Sequence, residues 1–132
     1  MTAEHLKNWI KTQTDYGDGI SVGCIDSTKQ RWIGVYDGRA SAQRICIGGK
    51  DQTKYAEYNA TVLVHWTTNP VDASDKAREV YGLFYGLSGA DMDGVRIVSV
   101  DPGGQAEWAG RDDRRVCEYV VNLKILYERE DE

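Results

Sequence analysis

Apolar and polar side chains alternate from Tyr55 to Trp66. Ala56, Tyr58, Ala60, Val62, Val64 and Trp66 fall on one face, and Glu57, Asn59, Thr61 and His65 on the other. A second run closes the chain, with Cys117, Tyr119, Val121, Leu123, Ile125 and Tyr127 opposite Glu118, Asn122, Lys124 and Glu128. A period of two sustained this long fits a strand with one dry face and one wet face, so the chain must build a sheet and cover one side of it. The cover is predicted just after the first run, where Ala73, Ala77, Val80, Phe84 and Leu87 step by 4, 3, 4 and 3. Asp72, with Asp75 three residues on, serves as its N-cap and first turn, and Gly89 closes it. Gly82 and Gly86 then fall inside the helix, where each costs roughly 1 kcal/mol relative to alanine, and this points to close approach of another backbone.

A short N-terminal helix is predicted behind Thr2, because Ala3, Leu6, Trp9 and Ile10 share a face before Gly17 and Gly19 end it. Three β-like pieces follow, ISVGCI, RWIGVY and QRICIGG, which read as a meander, and VRIVSV at 95–100 is a further strand. The fold class is therefore α+β: a mainly antiparallel sheet, one long amphipathic helix packed on one face, and a short N-terminal helix. At 132 residues this is one domain, 1–132.

Sixteen Lys and Arg against 21 Asp and Glu leave a formal charge of −5, which disfavours recruitment of DNA or RNA through phosphate neutralisation. Cys24, Cys46 and Cys117, odd in number and spaced by 22 and 71, suit neither a disulfide framework nor a metal knuckle, and read as reduced core thiols. MTAEHLKNWIKTQ has no apolar run of signal-peptide length, and nothing later approaches the roughly 20 apolar residues of a membrane span. Synthesis and retention in a cytoplasm are expected.

Motifs that could carry chemistry are incomplete. Asp91-Met92-Asp93-Gly94 lacks the further ligands of a calcium loop and reads as a turn. Gly48-Gly49-Lys50 is followed by Asp51, where a phosphate loop needs Ser or Thr. His5 and His65 have no Cys, Asp or Glu at metal-pair spacing, and His65 projects from the polar face of its strand. No catalytic residue, metal or cofactor is expected.

What remains unexplained is "DPGGQAEWAGRDDR", residues 101–114. It is far longer than the two to five residues a hairpin needs, and connections of this length are functional or disordered. Trp108 stands in it without periodic neighbours, beside Arg111, Asp112, Asp113, Arg114 and Arg115. Trp and Arg are enriched among the energetic anchors of protein interfaces, so these six residues are the candidate subunit interface. The segment from Asp101 to Arg115 is expected to be mobile in a monomer and ordered between subunits. The other reading of Trp108 is a ring folded back on its own domain.

The order of helix, small strands, long strand, amphipathic helix and strand, followed by GRDDRRVCEYVVNLKILYERE, resembles the family of phage minor capsid proteins related to the tail terminators of long-tailed phages. The resemblance covers about residues 45 to 130. It rests on Gly110, Arg111, Asp112, Arg115, Val121, Asn122 and Tyr127, with Ala77 and Leu87 at small and apolar helix positions. It implies a non-enzymatic virion protein, made in the bacterial host cytoplasm, that forms a homo-oligomeric ring of about six copies at the head-tail joint. Such a ring ends growth of the tail tube, and its partners are the tail tube protein and a head-completion or connector protein. An acidic ring would let DNA pass without sticking. A head-completion or adaptor role at the same joint shares these features. The alternative is a small ligand-binding or cysteine-dependent enzymatic α+β domain, with Cys24, Cys46 or Cys117 near a histidine.

Overall fold

The structure is a computed structural model that describes residues 1–38 and 55–129. The piece QRICIGG, Cys46 and the Gly48-Gly49-Lys50 turn lie outside the described residues. The elements in chain order are α1 (Ala3–Gln13), β1 (Gly19–Val22), β2 (Arg31–Asp37), β3 (Tyr55–Trp66), α2 (Pro70–Phe84), β4 (Asp91–Met92), β5 (Val95–Asp101), β6 (Glu107–Arg111) and β7 (Cys117–Glu128). They form an α+β fold with one mixed sheet, ordered β1-β2-β3-β7-β5-β4, and β6 also pairs with β7.

The two long alternating runs, β3 and β7, are antiparallel neighbours at the sheet centre, with Val62 opposite Val121 and Ala60 opposite Leu123. Their apolar faces join Ile33 and Val35 of β2 beneath both helices, and Leu6, Ile10, Val80 and Phe84 complete a single core. Phe84 is fully buried and tilts against Trp9 of α1 with ring centroids 5.5 Å apart, so this one side chain couples both helices to the sheet.

Helix α2 begins earlier and ends earlier than its periodicity suggests. Asn69, not Asp72, is the N-cap: its side-chain oxygen accepts from Val71 N at 2.9 Å and Asp72 N at 3.5 Å. Pro70 at the first helical position explains the shift, because its fixed φ suits a helix start and its missing N–H is not needed there. After Phe84 the chain leaves the helix, and Gly86, at φ 72°, turns it toward β5, where Val100 N donates to Leu87 O. Gly86 therefore lies outside the helix, and among the described residues a Cβ on Gly82 or Gly86 would meet nothing within 4 Å, so no described backbone approaches either glycine. The Asp91–Gly94 segment is a two-residue hairpin turn, with Asp93 and Gly94 both at positive φ.

Strands β1 and β2 are parallel, so the expected meander fails at its first step. A four-residue strand is about 13 Å long, and the eight residues 23–30 reach far enough to return and start β2 in the same direction. Residues 101–115 differ from expectation too. β5 pairs only with residues 124–127 of the twelve-residue β7, which leaves the edge of 117–120 open, and Glu107–Arg111 occupies it as β6. The preceding turn is held by Asp101 Oδ1, which accepts from Gly103 N at 2.9 Å, and by the Tyr81 hydroxyl, which donates to Gly103 O at 2.9 Å. The segment from Asp101 to Arg115 therefore comprises a turn, strand β6 paired with β7, and a second turn within the single chain.

A polar clasp joins the end of α1 to α2. Buried Lys76 donates to Thr14 Oγ1 at 2.9 Å and to Glu79 Oε2 at 2.5 Å, and its ammonium sits 4.8 Å from the centre of the Trp66 ring. Thr14 also donates its hydroxyl to Glu79. The bonds from Lys76 and Thr14 hold the Glu79 carboxyl below its ordinary value of 4.5. A carboxyl depressed by folding stabilises above its unfolded value, and that contribution is lost as pH falls through the folded value. The stability difference between the parent and Glu79→Gln is therefore expected to be present at neutral pH and to vanish in acid. Glu79 is 55% exposed, so screening keeps it below about 1 kcal/mol. Urea unfolding at a series of pH values measures it, and a difference that grows in acid would contradict the assignment.

Candidate functional site

β6, paired with residues 117–120, and the turn after it form a tip at one end of β7. The turn is built on Asp112, whose Oδ1 accepts from Arg114 N and Val116 N, both at 2.9 Å, while Asp112 N donates to Val116 O at 3.1 Å. Arg115 takes a left-handed conformation, φ 67°, to close the loop. Arg111 reaches back across the sheet end, where its Nη1 donates to Thr68 O and Arg115 O, each at 3.3 Å. Cys117 N donates to Thr67 O at 2.8 Å, so the tip is tied to the segment that caps α2.

The six candidate residues consequently divide. Asp112 serves the turn from inside, and Arg111 is an exposed tether. Asp113, Arg114 and Arg115 are exposed. Trp108 satisfies both readings of it in part. One edge of its ring packs against Tyr119, centroids 5.3 Å apart and planes at 76°, yet it is 51% exposed on the outermost strand. An apolar ring in this position gains area when another surface covers it.

Beneath the tip lies a polar cluster that sequence reasoning did not anticipate. His65 is on the face of β3 away from the helices, as its alternation requires, but it is fully buried. Loop 23–30 and the 112–116 turn fold over it. Its Nδ1 lies 3.0 Å from Glu118 Oε2, and its Nε2 lies 2.9 Å from Lys29 O and 3.7 Å from Asp112 Oδ2. His65 thus works as a staple, its two ring nitrogens tying β3 to β7, to the crossing loop and to the tip. The sequence signal for it is faint. His65 and Glu118 each sit on the wet face of a long strand, but the register that sets them opposite one another is not written in either strand alone.

The same loop contains Asp26, whose carboxyl accepts from the hydroxyl and backbone N–H of Thr28 and is held below its ordinary range mainly by these bonds. On the neighbouring strand, burial raises the Tyr36 hydroxyl, with smaller contributions from Cys24 and Glu118.

A scan against protein-family models finds no matching family, and a search of curated proteins finds no matching relative.

The cysteines occupy different surroundings. Cys117 is buried on the helix face of the sheet, whereas Cys24 is exposed, so the expectation of core thiols fails for Cys24 because loop 23–30 carries it outside the core. Both His65 nitrogens are engaged by oxygen atoms and neither bonds to a thiol among the described residues. His5 is spent on the N-terminus of α1, where its Nδ1 accepts from Thr2 N at 3.0 Å. Among the described residues no group of three His, Cys, Asp or Glu is placed to hold a metal ion, and no helix is long and apolar enough to cross a membrane.

Proposed function

We propose that this protein is a structural component of a phage virion, a tail terminator or minor capsid protein that assembles into a ring at the head-tail joint. The observation that carries the proposal is the tip: an ordered edge strand presenting a half-exposed tryptophan beside exposed Arg111, Arg114 and Arg115. The resemblance of residues 45 to 130 to that family supplies the biological setting. In it the tip is the contact between copies, while the tail tube protein and a head-completion or connector protein bind the two faces of the ring. Trp108 contributes affinity by burying its exposed area, and the charged residues chiefly set register, since each exposed ion pair is worth only about 0 to 1 kcal/mol. The formal charge of −5 suits a passage that DNA must traverse without adhering.

The test is sedimentation of the parent, Trp108→Ala and Arg111→Asp at matched concentrations, with circular dichroism to verify folding. The parent is expected to form a ring-sized oligomer, and both variants to shift toward monomer while remaining folded. A parent that stays monomeric up to the concentrations of an assembling virion would sink the proposal, as would two folded variants that sediment like the parent.

A further inference from the structure

Two edge strands of the sheet, β1 and β6, end the same rows. Tracing residue pairs across β1, β2, β3, β7 and β6, the row that ends in Trp108 begins with Ile20. In the same way Glu107 shares its row with Ser21, and Gly110 with Gly19. One residue further along each edge, Asp18 stands before β1 and Arg111 ends β6, and both are exposed. Direction matters as much as level. β1 runs parallel to β2, and the three steps from β2 through β3 and β7 to β6 are antiparallel, so β6 runs opposite to β1.

We infer that the β6 edge of one copy pairs with the β1 edge of the next, continuing the sheet as an antiparallel ladder in which Trp108 meets Ile20 and Arg111 meets Asp18. The inference rests on the self-assembly reading above and adds the surface that receives the tip. Three features single out a second copy as the occupant. Residues of one row point to one side of a sheet, so Trp108 arrives on the helix face, where Ile20 is already packed against the core. The charges at the end of the ladder are opposite, and exposed Asp15 adds to the acidic side while Arg114 and Arg115 add to the basic side. Among the described residues β1 pairs only with β2 and β6 only with β7, and an edge of this kind is what strand addition completes. Because the two edges differ, the contact is head-to-tail, the type that closes into rings.

Cysteine pairing tests the register. In a Cys24→Ser background, Ser21→Cys and Glu107→Cys chains are mixed and oxidised mildly, since directly opposed residues bring Cβ atoms to about 4.5 to 5.5 Å, near disulfide reach. A disulfide-linked dimer is expected in the mixture and in neither variant alone, and the chain carrying both substitutions is expected to give a ladder of multimers. Self-linking of Glu107→Cys would show an edge paired with its own copy and overturn the inference. So would the absence of any link while the parent sediments as an oligomer, a result that leaves the assembly reading standing. A parent that never exceeds a monomer removes both. Charge reversal provides a test without cysteines: Arg111→Glu is expected to weaken association about tenfold, and Asp18→Arg in the same chain to restore it. A folded double variant that stays weak contradicts the pairing, because loss of the Arg111 bond to Thr68 O would not be repaired from the opposite edge.

Discussion

Replacing Phe84 by alanine is expected to cost about 3 to 5 kcal/mol, the largest loss from any single truncation in this core. The reason is the position of the ring rather than its size alone. Phe84 is the only phenylalanine in the chain, is fully buried, and lies where α2 meets Trp9 of α1 above the sheet. Removing it deletes buried apolar area and leaves a cavity that two helices and a sheet cannot all close by moving, because each is fixed by its other contacts. Denaturant unfolding measures the loss as a fall in midpoint at unchanged slope. A loss below about 1 kcal/mol would mean that the core does not converge on this residue.

The second large effect belongs to His65. Substitution by leucine keeps the volume roughly constant but removes the imidazole from between the Glu118 carboxylate and Lys29 O. Leaving a buried polar group without its partner costs about 1 to 3 kcal/mol, and Glu118, at 20% exposure, retains some water, so about 2 kcal/mol is expected. Glu118→Gln should cost less, because its amide oxygen still accepts from Nδ1. His65→Leu combined with Glu118→Leu should recover part of the loss, since no unpaired charge remains at that position. Hydrogen exchange adds a spatial readout: in His65→Leu the amide of Asp112, bonded to Val116 O, is expected to lose protection before the amides of the central strands. Equal stability of His65→Leu and the parent would show that the cluster is not a staple.

The elements read most readily from the sequence are those whose signal is periodic and long. The alternation in 55–66 and in the terminal strand specifies β3 and β7, and the 4, 3, 4, 3 spacing from Ala73 to Leu87 specifies α2, because one side chain in two, or in three to four, must reach the same core. Thr2 as the cap of α1 is similarly local. The boundaries of α2 were less legible. Pro70 and Asn69 outweigh Asp72 at the start, and the pull of residues 87–90 toward β5 ends the helix before the apolar spacing does.

The candidate site divides along the same line. Trp108 and the charges from Arg111 to Arg115 stand out by composition, and the tip they form is where the chain exposes them. That Glu107–Arg111 is a strand could not be read locally, since EWAGR becomes one only because β5 leaves part of β7 uncovered. The parallel pairing of β1 with β2 depends on the path of loop 23–30, and the burial of His65 depends on that loop and on the 112–116 turn closing over the wet face. The sequence by itself therefore determined that β3 and β7 are strands and α2 a helix, and which face of each meets the core, because those follow from spacing within a segment. Tertiary structure alone decided which edges stay open, which polar side chain is enclosed, and that Gly19–Val22 and Glu107–Arg111 end the same rows, because register and edge occupancy are relations between segments far apart in the chain.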